Sequence, residues 1–222
     1  MDLRIPDEAK RAFRALLNWP EGAIPKFVAA IHNSQPTLVL SEFAQQVSKE
    51  SGQKPEEVES VLAHLAGLYS VQSANDSPPG AMAQQLCNAL KSSQEFADAK
   101  PDWKGLEQLF AELLSCHDSF GVTAKAQTVM TDHANTFMAA RFITDIRPVF
   151  GGDPKAKPVA AVVVHNLSFI VRHLNKIDEI LIALDSADLQ KLKKLVERAE
   201  HKQKALQALI GATGIQYLEP KT

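Results

Sequence analysis

The apolar residues of this chain keep a helical spacing up to about residue 133, change to an alternation by two between Phe137 and Phe150, and return to a helical spacing after Asp185. One kind of element cannot satisfy both patterns. Helix side chains recur on a face every third or fourth residue, and strand side chains every second. Helices first, strands next and a helix last is the order of a protein whose helical and sheet parts are segregated, not of an alternating parallel-sheet fold. The expectation is α+β, mainly helical: an N-terminal helical bundle, then a three-stranded antiparallel β-meander and a long C-terminal helix. The helical domain is placed at 1–133 and the β-β-β-α domain at 134–222.

In the first part, Ala9, Ala12, Phe13, Leu16 and Leu17 line one side of a helix that follows Pro6-Asp7 and stops at Asn18-Trp19-Pro20. A short helix is expected from Pro25 to Ile31, and another from Ser41 to Glu50 ended by Gly52. The next opens at Pro55, with Glu56, Glu57 and Glu59 near the positive end of its dipole and Val58, Val61, Leu62, Leu65, Leu68 and Tyr69 on one stripe. Ser70 to Gly80, containing SANDSPPG, reads as a linker, with a subdomain seam at 70–80. Helices at Ala81–Lys91, Trp103–Cys116 and Val122–His133 complete this half.

From Phe137 to Phe150, Met138, Ala140, Phe142, Thr144 and Ile146 alternate with Ala139, Arg141, Ile143, Asp145 and Arg147, the pattern of a half-buried strand. The β-branched run Val159–Val171 and the stretch Ile177–Leu184 give two more strands, with a turn at Asn175-Lys176. Asp185 and Ser186 offer caps to the last helix, Asp188 falls in its first turn, and Leu189, Leu192, Leu195, Val196, Ala199, Leu206, Leu209 and Ile210 share one broad face.

With 222 residues and 45% hydrophobic content the chain can bury a core without disulfides. Cys87 and Cys116 lie among apolar residues and the opening MDLRIPDEAK has no export pattern, so a reducing, cytoplasmic setting without a membrane span is expected. Residues 1–116 hold 10 Lys/Arg against 15 Asp/Glu, and 117–222 hold 14 against 11; neither half has the concentrated basic face that makes nucleic acid an expected partner.

Cys116-His117-Asp118 has the residue types of a nucleophilic triad, but neighbours on a helix diverge by about 100° each and cannot converge on one atom. The seven histidines show no i, i+4 pair and no cysteine pair at zinc spacing, and Gly151-Gly152 lacks the helix N-terminus that a phosphate loop needs. No catalytic, cofactor or metal residue is therefore assigned, and a non-enzymatic role is expected. Two surface sets are candidates for contact with an anion or a partner. Arg141, Asp145 and Arg147 share one face of the first strand, where the plainer reading is an ion pair on the solvated side. Lys191, Lys194, Arg198 and Lys202 fall within about 80° of a helical wheel beside the apolar stripe, where the plainer reading is basic stems covering the edge of a core.

Helices followed by a meander and a terminal helix, with the junction Ile180-Leu181-Ile182-Ala183-Leu184-Asp185-Ser186-Ala187-Asp188-Leu189, resemble the COMM-domain proteins. The phrases Thr144-Asp145-Ile146-Arg147-Pro148-Val149-Phe150 and Ala183-Leu184-Asp185 are also similar to an uncharacterised bacterial family. The first resemblance implies a protein-interaction and assembly subunit, a homodimer that pairs through its meander and helix. A three-stranded sheet leaves edges that pairing would cover, which agrees with that implication. The alternative expectation is a regulatory binder of nucleic acid or another anionic ligand through the basic stripe of the last helix.

Overall fold

The computed structural model describes residues 3–99, 101–153, 155–173 and 176–219. Helices α1 (Asp7–Leu17), α2 (Ala23–Asn33), α3 (Leu40–Ser51), α4 (Pro55–Ala74), α5 (Pro79–Lys91), α6 (Trp103–Leu114) and α7 (Phe120–Thr131) come first, with a 3-10 turn at Gln94–Phe96 before α6. Strands β1 (Thr136–Val149), β2 (Ala160–His173) and β3 (Lys176–Leu184) follow, and α8 (Ser186–Gly211) closes the order. The protein is α+β and mainly helical, as its two periodicities require. The chain divides into two compact units, one running to Thr131 and the other spanning Asp132–Tyr217.

The helical unit has one core. Its α4 stripe of Val58, Val61, Leu62, Leu65, Leu68 and Tyr69 packs against α1, α3 and α7, and α5 pairs with α6. Phe13 meets Phe110 edge-on at 5.2 Å, and Tyr69 meets Phe120 at 5.4 Å, the offset arrangement that aromatic rings prefer. Gly52 ends α3 with φ of +74°, a left-handed conformation that glycine adopts without a Cβ penalty.

The expected linker at 70–80 is mostly helix. Tyr69 and Gln72 are buried, so packing carries α4 on to Ala74 despite weak local propensity, and α5 begins at Pro79. Residues on both sides belong to the same core cluster, so no seam falls there. The α6 helix stops at Leu114, two residues short of the expectation, and Cys116-His117-Asp118 lie in the turn before α7.

In the second unit the sheet order is β1-β2-β3, antiparallel throughout. A bulge between Phe137 and Ala139 shifts the register, so Phe137, not Met138, joins Ala140, Phe142, Thr144 and Ile146 on one face. Of the turn expected at Asn175-Lys176, Asn175 lies outside the described residues, and Lys176 already opens β3. Asp185 caps α8: its carboxylate accepts from the Asp188 backbone N–H at 2.8 Å, while Asp188 accepts from the Asp185 N–H, a reciprocal capping box. The segment Ile215–Leu218 forms no strand; Tyr217 Oη accepts from Gln203 Nε2 of α8 at 3.2 Å.

Candidate interaction surface

Strand pairing places opposite residues on the same face, so the register defines both sides of the sheet. One side carries the rungs Ala140–Phe169–Ile180, Phe142–Leu167–Ile182 and Thr144–His165–Leu184, continued by Ile146 opposite Val163. Over these rungs it is apolar except for Thr144 Oγ1 and His165 Nδ1, which share a hydrogen bond at 2.9 Å, and toward the other end Asp178 opposite Val171 and Lys176 opposite His173 lie on the same side. The other side carries Ala139–Ile170–Glu179, Arg141–Ser168–Leu181 and Ile143–Asn166–Ala183, with Asp145 and Arg147 further along β1.

On this second side the predicted strand residues are drawn into the sheet's own network. Arg141 Nη2 donates to Glu179 Oε1 at 3.3 Å across the middle strand, and Ser168 Oγ donates to the same oxygen. The Ser168 hydrogen bond holds the Glu179 carboxyl below the usual carboxylate range, and the nearby Arg141 charge adds to it. Asp145 Oδ2 accepts from Asn166 Nδ2 at 2.9 Å. Arg147 has no polar partner among the described residues. Arg141 and Asp145 thus each have a partner within the sheet, through Nη2 and Oδ2, while the Arg141 side chain stays 64% exposed.

The α8 stripe behaves differently. Lys191 Nζ is 3.0 Å from Asp188 Oδ1, which holds the ammonium above its ordinary range. Lys194, Arg198 and Lys202 carry no ion pair or hydrogen bond among the described residues. Their helix buries nothing completely. Leu189 and Leu192 are half-buried near its start, where α8 approaches β2 and β3, but Leu195, Val196, Leu206 and Leu209 stand 57–65% exposed.

The first strand, expected from its alternation to be half-buried, is also uncovered. Every β1 residue after Thr136 is exposed, and Leu167, Ser168 and Val171 of the central strand are the buried residues described in this unit. From Ala139 onward alternation correctly separates the faces, yet it says nothing about what covers the apolar one. Monomeric proteins seldom leave contiguous apolar surfaces of this size in water.

In the helical unit, the fold gives Cys116 a histidine that sequence adjacency does not reveal. His32, 84 residues away at the end of α2, brings Nδ1 to 3.5 Å from Cys116 Sγ, and its Nε2 lies 3.9 Å from Glu112 Oε1. Cys116 Sγ is also 3.0 Å from Ser119 Oγ, whose hydrogen goes to the Ile31 carbonyl at 2.6 Å. The thiol is therefore a donor to Ser119 or His32, and the set ties the α2 end to the turn after α6. Cys116 is only 3% exposed. Burial favours a structural tie over a nucleophile.

No protein-family model matches the chain, and no curated protein matches it. Among the described residues no helix is long and apolar enough to cross a membrane, and no three His, Cys, Asp or Glu side chains converge on a metal position.

Proposed function

We propose that this protein is a non-enzymatic assembly module that pairs with a second copy of itself through its meander and α8, from about Phe137 to Ile210. The observation that carries the reading is the set of exposed apolar residues that surround the buried Leu167 and Val171 on the rung face, together with the exposed apolar stripe of α8. Fully burying a large apolar side chain is worth about 2 kcal/mol at about 25 cal/mol/Å², or about 80 Å². Phe137, Phe142, Ile146, Val163, Ile180, Ile182, Leu195, Val196, Leu206 and Leu209 are 41–73% exposed. At about half exposure each, they offer about 400 Å² of apolar area. With the polar share of an ordinary interface added, this becomes about 650 Å² per partner, inside the range of stable complexes. A second copy is the simplest occupant, because a two-fold interface needs one self-complementary surface and this unit carries a sheet face and a helix face of matching apolar character. The implication of the COMM-domain resemblance points the same way.

The test is light scattering of the full chain over a hundredfold dilution, beside a Phe142→Asp/Ile182→Asp double variant. These two side chains flank Leu167 in one rung at the middle of the apolar face. The expected result is a mass twice the 24.3 kDa of one chain for the wild type and a single-chain mass for the variant. A wild type that stays monomeric throughout, or a variant that still dimerises, rejects the reading. A second reading, an anionic ligand on α8, rests on the unpaired Lys194, Arg198 and Lys202. It predicts salt-dependent binding of a polyanion that a triple glutamine variant at these positions loses.

A further inference from the structure

A half-open cavity of about 230 Å³ lies in the helical unit, between the segment leading into α1, α1 itself, α4 and Leu86 of α5. Its walls are mainly apolar, from Ile5, Phe13, Val71 and Leu86, and two residues with polar side chains, Arg4 and His64, line it as well. Arg4 is exposed and has no ion pair or hydrogen bond among the described residues. His64 meets Phe13 edge-on at 6.3 Å, and neither of its ring nitrogens has a described hydrogen-bond partner. Burial lowers its pKa, so the ring is neutral and keeps one N–H to donate.

The cavity is also lined by a residue that helix formation opposes. Gly67 sits well inside α4, where glycine costs about fivefold in the local helix equilibrium relative to alanine. Its φ is ordinary for a helix, and a Cβ built there meets nothing within 4 Å. Neither backbone conformation nor crowding requires glycine at this position. Gly67 is exposed and is one of the lining residues, so a larger side chain here has open space to occupy at the cavity's edge.

We infer that this cavity is a binding site for a small monoanionic amphiphile, a medium-chain carboxylate whose tail fills the apolar chamber and whose head meets Arg4 and His64. Few convergent polar groups in an apolar concavity are the usual makeup of a small-molecule site. Size sets the tail length. A dry cavity of about 150 Å³ admits the six carbons of benzene, so about 230 Å³ admits about nine non-hydrogen atoms. Octanoate, with its carboxylate at the mouth, matches. The site lies in the helical unit, and the inference stands apart from the pairing proposed for the meander.

The experiment titrates octanoate and, separately, 1-octanol into the full chain by calorimetry, well below micellar concentrations, with wild type, Arg4→Gln and Gly67→Leu. Wild type is expected to bind octanoate saturably, at one site, and more tightly than octanol. Arg4→Gln weakens octanoate about five- to tenfold, the loss of one charge-assisted bond at an exposed mouth, and leaves octanol unchanged. Gly67→Leu fills the chamber and abolishes both. Leucine favours the helix over glycine, so the thermal midpoint of this variant is expected to be no lower than wild type, which separates loss of the site from loss of the fold. Absence of saturable octanoate binding, equal binding by Gly67→Leu, or octanol binding as tight as octanoate would overturn the inference.

Discussion

Replacing Tyr69 by Phe removes one oxygen from the centre of the helical unit, and the structure limits what that costs. The hydroxyl lies 2.7 Å from the Cys116 carbonyl and 3.1 Å from the Leu113 carbonyl, with one hydrogen to donate. Neither acceptor is orphaned by the change: Cys116 O also accepts from the Gly121 N–H at 2.9 Å, and Leu113 O from the Cys116 N–H at 3.3 Å. The ring keeps its edge contacts with Phe120 and His117. The loss is therefore that of one net hydrogen bond, about 1 kcal/mol, not the larger penalty of a buried unsatisfied group. For a unit of this size that is about 3–4 °C. Trp19 and Trp103 both lie in the helical unit, so tryptophan fluorescence during urea unfolding reads it directly. Alkali supplies an independent check. Burial raises the Tyr69 hydroxyl pKa above its ordinary value, so the folded state holds the proton that the unfolded state releases. Stability is then complete below about pH 10 and falls above it by up to about 1.4 kcal/mol per pH unit. The Cys87 thiol, pushed up to about 11 by burial, causes the same kind of loss from lower pH, but equally in both proteins. The wild-type advantage of about 1 kcal/mol should accordingly vanish about one pH unit above 10. Curves that stay parallel through pH 11, or a loss above about 3 kcal/mol at pH 7, would refute the reasoning.

Two further substitutions test the local geometry. Gly121→Ala puts a Cβ 2.7 Å from the Cys116 carbonyl oxygen and 3.3 Å from the Tyr69 ring, so it should cost about 2–3 kcal/mol in the same urea assay, more than Tyr69→Phe. Asp185→Ala removes the side-chain half of the α8 capping box and should weaken that helix by about 1 kcal/mol, seen as lost helical circular dichroism with the tryptophan-reported transition unmoved.

Element type was legible wherever apolar spacing continued over several turns or rungs. The α4 stripe and the alternation in β1 each specify one geometry, and the Asp185/Asp188 cap marks the start of α8 in the sequence itself. What failed was local reading against tertiary packing. SANDSPPG reads as a breaker, yet buried Tyr69 and Gln72 carry α4 into it. The bulge at Met138 is invisible to a period count, although it decides which of Phe137 and Met138 joins the apolar face. Among the surface sets, same-face placement of Arg141, Asp145 and Arg147 followed from strand geometry, but the partners Glu179 and Asn166 required the register. The approach of His32 to Cys116 spans 84 residues and leaves no periodic trace. Gly67 left a signal that was available: a glycine well inside a helix is unusual, and this one lines the cavity.

The uncovered meander carries a thermodynamic consequence. Three strands with an apolar face and a helix are near the minimum for independent stability, and here the helix buries no residue completely and leaves Leu195, Val196, Leu206 and Leu209 exposed. If a second copy supplies the missing cover, folding of this unit is linked to association, and mass action makes its stability depend on concentration. Each tenfold rise in protein should add about 1.4 kcal/mol per dimer while pairing is saturable. The helical unit, with its own closed core, should show no such dependence. Two transitions follow from this: one read by tryptophan that stays fixed from micromolar to hundred-micromolar protein, and one read by far-ultraviolet circular dichroism that moves upward over the same range. A second transition that does not move means that the sheet and α8 are stable without a copy, and their apolar surface must then be kept for a different protein.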